Sequence, residues 1–184
     1  VLASGPTGLP DVAFRIAGDA RYSRPSSDIA DVVEDGEPNR GWFGLLRAKL
    51  SIEPALLAGS RIGVTYVHQQ SQSPQIEGVT KPFRERRDER PGYGVFRINT
   101  DSLTASGAVP VAPGLSANVL VTAGDSLARR LAPEGFGQAR NHSRDWSAEA
   151  LLNWCGTGGL RAVGGVSHSS VGLDQFIDLS RLSG

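Results

Sequence analysis

The sequence predicts an all-β protein: an antiparallel up-and-down meander of about seven or eight long strands, forming a partial, open section of a transmembrane β-barrel wall. Three observations lead there. Period-two alternation of apolar and polar residues runs through most of the chain, while helical spacing is hard to find. The alternating runs reach about a dozen residues, twice the usual soluble strand of roughly 5–6. Short turns and long loops alternate between them, as expected of a barrel that crosses a bilayer with turns on one side and loops on the other.

The first alternating run is 11–22, with Val12, Phe14, Ile16, Gly18, Ala20 and Tyr22 on one face and Ala13, Arg15, Ala17, Asp19 and Arg21 on the other. The second, 42–53, sets Trp42, Leu46, Leu50 and Ile52 against Arg47, Lys49, Ser51 and Glu53. The third, 61–69, alternates Ile62, Val64 and Tyr66 with Arg61, Thr65 and Gln69, and Val67 breaks the pattern. A weaker fourth covers 101–109, with Leu103, Ala105, Gly107 and Val109 on one side. The fifth, 115–124, carries Leu115, Ala117, Val119, Val121 and Ala123, and the sixth, 145–154, carries Trp146, Ala148, Ala150, Leu152 and Trp154. A seventh starts at Leu160 with Ala162, Gly164 and Val166, and a short eighth is expected over 175–179. Segments 54–60, 110–114 and 155–159 are short and contain Gly or Pro, as tight turns require. Segments 23–41, 70–100 and 125–144 are far longer than most connections in compact domains.

Composition sets limits. The 184 residues suit one domain or a piece of a larger one. Gly 23 and Pro 11 favour many turns and few long helices. The 19 basic residues balance 19 acidic ones, which argues against a general nucleic-acid footprint. No run of eighteen apolar residues is present, so no transmembrane helix is available. Cys155 is the single cysteine, which excludes an internal disulfide framework and a multi-cysteine zinc site. The absence of Met and of a basic start with an apolar core leads to the expectation of an excised or truncated chain.

Length and the polar face decide which solvent each side meets. Trp146 and Trp154 share a face eight residues apart. At about 3.3 Å per residue and a tilt near 40°, they are roughly 20 Å apart along the bilayer normal. That suits two aromatic girdles bracketing an apolar band about 25 Å tall. The alternative is a soluble all-β ligand- or carbohydrate-binding module built as a two-layered sandwich. The aromatic share of 7% and the many small residues on the apolar face favour that alternative. Full charges on the polar faces and the long loops favour the barrel.

The stretch Arg47-Ala48-Lys49-Leu50-Ser51-Ile52-Glu53-Pro54, followed after a turn by Ile62-Gly63-Val64-Thr65-Tyr66-Val67-His68, resembles TonB-dependent outer-membrane receptors. The phrases Ser73-Pro74-Gln75, Asn99-Thr100-Asp101-Ser102-Leu103-Thr104 and Arg144-Asp145-Trp146-Ser147-Ala148-Glu149 are similar too, in matching order. The resemblance covers about 11–179. It implies a barrel of roughly 22 strands closed by a plug, importing a scarce nutrient such as a siderophore, vitamin or oligosaccharide. Its implied partners are outer-membrane lipid, an extracellular small-molecule ligand, and the TonB system reached through the plug. No plug, TonB-contacting segment or aromatic C-terminal barrel signature is recognisable in 1–184, so the whole chain is expected to be an interior section of the wall.

No catalytic constellation or cofactor motif emerges, and no enzyme activity is expected. His68, His142 and His168 are scattered without carboxylate spacing for a metal, and His68 and His168 are expected near strand ends. Cys155 lacks a resolving partner. The loop run Arg84-Glu85-Arg86-Arg87-Asp88-Glu89-Arg90 has mixed signs and would ordinarily pair with itself in solvent. Its sharper reading makes Arg84, Arg86, Arg87 and Arg90 contributors to anionic ligand capture or to lipopolysaccharide phosphate contacts, since guanidinium forks match such groups. Arg129 and Arg130 form a second loop candidate. Arg15, Asp19, Arg47, Lys49, Arg61 and Glu149 are expected to face the lumen, pairing across strands or touching a plug.

Overall fold

The computed structural model describes residues 1–24, 28–29, 39–74, 82–85, 87–88, 94–133 and 137–178. Among the described residues there are ten strands: β1 (Leu2–Pro6), β2 (Val12–Ser23), β3 (Asp28–Ile29), β4 (Gly41–Ile52), β5 (Arg61–Pro74), β6 (Arg87–Asp88), β7 (Val95–Ala112), β8 (Leu115–Leu131), β9 (Ala139–Cys155) and β10 (Arg161–Ile177). Eight of them form one antiparallel sheet in the order β1-β2-β4-β5-β7-β8-β9-β10. The two-residue strands β3 and β6 form a separate parallel bridge. The main sheet is an up-and-down meander that does not close, and β1 and β10 are left as its edges.

The predicted strands are present, with three differences. β1, β3 and β6 were not anticipated; β1 has only five residues, and its Pro6 is tolerated because β1 is an edge strand. The expected seventh and eighth strands are one strand, β10, of 17 residues. The expected loops over 70–100 and 125–144 are partly strand, since β5 continues to Pro74, β7 starts at Val95, β8 runs to Leu131 and β9 starts at Ala139. One cause underlies the last two differences, and it lies in the faces.

Register aligns the faces across the sheet. Phe14 pairs with Leu50, Leu50 with Val64, Val64 with Ala105, Ala105 with Val121, and Val121 with Ala148. Val12, Phe14, Leu46, Leu50, Val64, Val119, Trp146 and Trp154 therefore share one face, as expected. The opposite face carries Arg15, Lys49, Thr65, Thr104, Thr122 and Ser147 at the same level. Among the described residues, only Val95 and Ala132 are buried hydrophobics, while Trp146 remains 46% and Val119 48% exposed. A two-layered sandwich would bury this face against a second sheet. Among the described residues the sheet instead stands alone, with an unpartnered apolar side.

The apolar belt is not level with the hydrogen-bonded rows. On β4 it runs from Trp42 to Ile52, centred near Arg47; on β10 it runs from Ala162 to Val166, centred on Gly164. Register carries Arg47 through Val67, Ser102, Gly124 and Asp145 to Val171. The belt has therefore slipped by the seven residues between Val171 and Gly164. That is roughly 23 Å along the strand across five strand spacings of about 4.8 Å each. A level belt thus requires strands tilted by about 44°, within the tilt typical of membrane barrels.

Short connections gather at one end. Pro113 and Gly114 close β7 onto β8, with Gly114 at φ 74. A Cβ on Gly114 would run into the Cys155 carbonyl oxygen, and Cys155 N–H donates to Gly114 O at 2.7 Å. Asp11 takes φ 64 in the β1–β2 turn, where its carbonyl accepts from Glu53 N–H at 2.9 Å and its carboxylate from Ala55 N–H at 3.1 Å. That joins two neighbouring turns.

Candidate functional site

Strands of 17 residues reach roughly 56 Å, or about 40 Å along the normal at this tilt. The apolar belt accounts for only the lower part. Above it the two faces exchange character. Beyond Tyr66, Leu103, Ala123 and Trp146, the belt face turns polar with His68, Asp101, Asp125 and Arg144. On the other face of the same upper segments, Phe43 aligns with Ser71, Ile98 and Ala128, next to Leu45 and Phe96. This exchange is expected if the lower segments lie in lipid around a wet interior and the upper segments stand in water around a drier one.

The polar face of the lower strands is cationic on its β2–β4 side. Arg15, Ala17, Arg47 and Lys49 line a hollow of about 230 Å³. Arg15 lies directly opposite Lys49. A second hollow of about 260 Å³ lies further along, between Arg61, Ser106, Leu120 and Glu149. Asp19 and Arg61 are paired: Arg21 bonds Asp19 at 2.7 Å and Arg61 bonds Glu53 at 2.9 Å. All six residues expected in the lumen, Arg15, Asp19, Arg47, Lys49, Arg61 and Glu149, fall on this face.

Higher on that face the surface combines apolar and polar groups. The Arg21 guanidinium sits 5.9 Å from the centre of the Phe43 ring, a cation–π contact. Arg130 donates to Gly137 O at 2.6 Å, and partial burial lowers its guanidinium pKa. Phe43, Leu45, Phe96, Ile98, Arg21 and Arg130 thus present aromatic and aliphatic surface beside two cations, with Gln69, Thr100 and Ser126 as hydrogen-bonding groups. Such a surface can hold a molecule that is part apolar and part anionic.

Just above the belt, the belt face carries two clusters. Tyr66 OH donates to Asp101, and His68 Nδ1 lies 2.8 Å from the same carboxylate. His142 Nε2 lies 3.0 Å from Asp125, and Arg144 Nε donates to it at 3.2 Å. Asp101 and Asp125 lie directly opposite each other, and separate donors offset their repulsion. His168 is mid-strand against Trp146, with ring centroids 5.0 Å apart, and His68 is also mid-strand, so neither is at the strand end where it was expected.

The sequence-derived ligand candidates separate. Arg84 lies exposed in the helical turn Phe83–Glu85, and Arg87 belongs to the bridge between β3 and β6. Arg86 and Arg90 lie outside the described residues. Arg129 and Arg130 are not in a loop but within β8, on opposite faces. Arg130 takes the Phe96 side, whereas Arg129 takes the face of the apolar belt, between Arg97 and Arg140. Sequence reading missed Phe43, Phe96 and Ile98. The signal was a change of phase: apolar residues are even-numbered at Phe96 and Ile98 but odd-numbered from Leu103 to Val109.

An open antiparallel wall with a tilted apolar belt on one face and a polar, hollowed opposite face defines a section of a β-barrel wall. No model of a known protein family matches the sequence. Among solved structures, the chain resembles the ferric yersiniabactin uptake receptor FyuA from Yersinia pestis, with a TM-score of 0.72 over 96% of this chain at 14% sequence identity. The chain spans 29% of the length of that receptor. The fold is thus that of a stretch of a TonB-dependent receptor barrel, as the sequence resemblance implied.

Proposed function

We propose that this chain forms part of the wall of an outer-membrane, TonB-dependent receptor that imports a scarce nutrient. The single observation that carries the reading is the exchange of polar and apolar faces along strands tilted by about 44°. The likeness to an uptake receptor supports transport rather than catalysis. The surface of Phe43, Leu45, Phe96, Ile98, Arg21 and Arg130 suits a partly aromatic, anionic metal chelate better than an oligosaccharide, because sugars bring no charge for the two guanidinium groups to meet. Arg84, Arg86, Arg87 and Arg90 would supply a first electrostatic capture of the same ligand. A plug would dock on the lower cationic hollow of Arg15, Arg47 and Lys49 and connect the receptor to TonB.

The test is uptake under iron limitation. Cells lacking the gene should lose uptake of a radiolabelled ferric chelate, and a proton uncoupler should abolish it in the parent. Phe43→Ala and Arg130→Gln should each reduce uptake about tenfold, roughly 1.4 kcal/mol of binding. Unchanged uptake of ferric chelates, cobalamin and oligosaccharides in the deletion strain would overturn the reading.

A further inference from the structure

Three cations on the face opposite the belt have no counter-charge. Arg15 lies directly opposite Lys49, and Arg47 lies opposite Ala17, one step higher on the same two strands. Together they line the hollow of about 230 Å³. Directly opposed like charges destabilise a sheet. The flanking strands bring no relief: at these levels β1 offers Ser4 and Leu2, and β5 offers Thr65 and Val67. Three carboxylates lie further along the same face, and each is already engaged. Asp19 is held by Arg21 at 2.7 Å, Glu53 by Arg61 at 2.9 Å, and Asp11 accepts from Ala55 N–H at 3.1 Å. Among the described residues, Arg15, Arg47 and Lys49 have no carboxylate within ion-pair distance.

The depth of the trio points to what the charges serve. Arg47 marks the centre of the belt on β4, so the hollow lies where the barrel reading puts the bilayer midplane. Charged side chains at that depth are costly; they persist facing a water-filled interior, and there they mark the route of a substrate or ion. The surface of Phe43, Leu45 and Arg21 stands above the hollow on the same two strands. Along β2, Arg21 is four residues from the Ala17–Arg47 level and six from the Arg15–Lys49 level. At about 3.3 Å per residue those steps are roughly 13 and 20 Å. An anion leaving the upper surface towards the lower end therefore meets the trio next. The hollow is smaller than the roughly 300–1,000 Å³ that holds a whole drug-sized ligand, so it suits one charged arm of a chelate whose body stays in the lumen.

We propose that Arg15, Arg47 and Lys49 form a second anion station on the import path, receiving the negatively charged oxygens of a metal chelate after it leaves the Phe43 surface. Charge-assisted hydrogen bonds from the two guanidinium groups and the ammonium group hold those oxygens. The inference rests on the import reading above. A plug docked here at rest would have to withdraw before anything passes, and the trio then faces the cargo.

The experiment is uptake of radiolabelled ferric citrate and of a radiolabelled ferric tris-catecholate by iron-limited cells in which the full-length receptor is the only outer-membrane route for these chelates. In R15Q/R47Q/K49Q the maximal rate should fall about tenfold while the half-saturating concentration stays within about twofold, because an interaction made only during passage lowers the rate and not the first binding. The charge-preserving R15K/R47K/K49R should restore most of the rate. Resistance to vancomycin should stay at the parental level, since that bulky antibiotic enters when a plug is unseated. Heat-modifiable gel migration shows that each variant is folded, and K49Q alone, with a fall of about threefold, is read if the triple variant is not. A parent that imports neither chelate overturns the reading of function and the station with it. Where the parent imports either chelate, an unchanged maximal rate in the folded variant overturns the station alone. So does a lost rate that the charge-preserving variant fails to restore, or one accompanied by vancomycin sensitivity.

Discussion

Val119 lies at the centre of the belt on β8, and an arginine there would place a charge where the barrel reading puts the bilayer midplane. Its partner Ala150 lies four residues from both Trp146 and Trp154, which is roughly 10 Å from each girdle at this tilt. A charge at that depth on a barrel's lipid face costs about 2–4 kcal/mol, falling to about 0–1 near the interfaces. Val119→Arg should therefore lower the folded-to-unfolded ratio by about thirtyfold or more. Ala123→Arg, in the Trp146 row, should cost less than about 1 kcal/mol. Leu120→Arg faces the other way, directly opposite Glu149, and should be close to neutral. Because Val119 is 48% exposed in the free sheet, the same change in water would stay within about 0.5 kcal/mol. Guanidinium titration of the protein folded into phosphatidylcholine vesicles measures all three variants. If Val119→Arg costs no more than Leu120→Arg, the belt does not face lipid.

The turns and the inner surface each carry an expected outcome. Gly114→Ala should destabilise by about 1–2 kcal/mol, since it forces a side chain into the left-handed region and against the Cys155 carbonyl; the denaturation midpoint reports it. Arg21→Gln should weaken chelate binding several-fold without altering barrel stability, as measured by tryptophan quenching, because the Arg21–Asp19 pair is exposed and contributes little to folding.

The amino-acid sequence alone determined the all-β class, the near-complete strand list, the end carrying the short turns and the identity of the apolar face. Those features are local: alternation, Gly and Pro at turns, and aromatic residues spaced to bracket a belt all register within a dozen residues. It lost the upper strands, because apolar residues change face between Leu103 and Ile98 on β7 and between Val166 and Val171 on β10. A period-two pattern read against a single solvent ends where the solvents exchange sides. The consequences of register were decided only by the tertiary structure. It turned the drift of the belt into a strand tilt, split Arg129 from Arg130, and brought Arg97, Arg129 and Arg140 together from three strands. Partners separated by dozens of residues leave no local trace, since hydrogen bonding between strands alone fixes which residue stands opposite which.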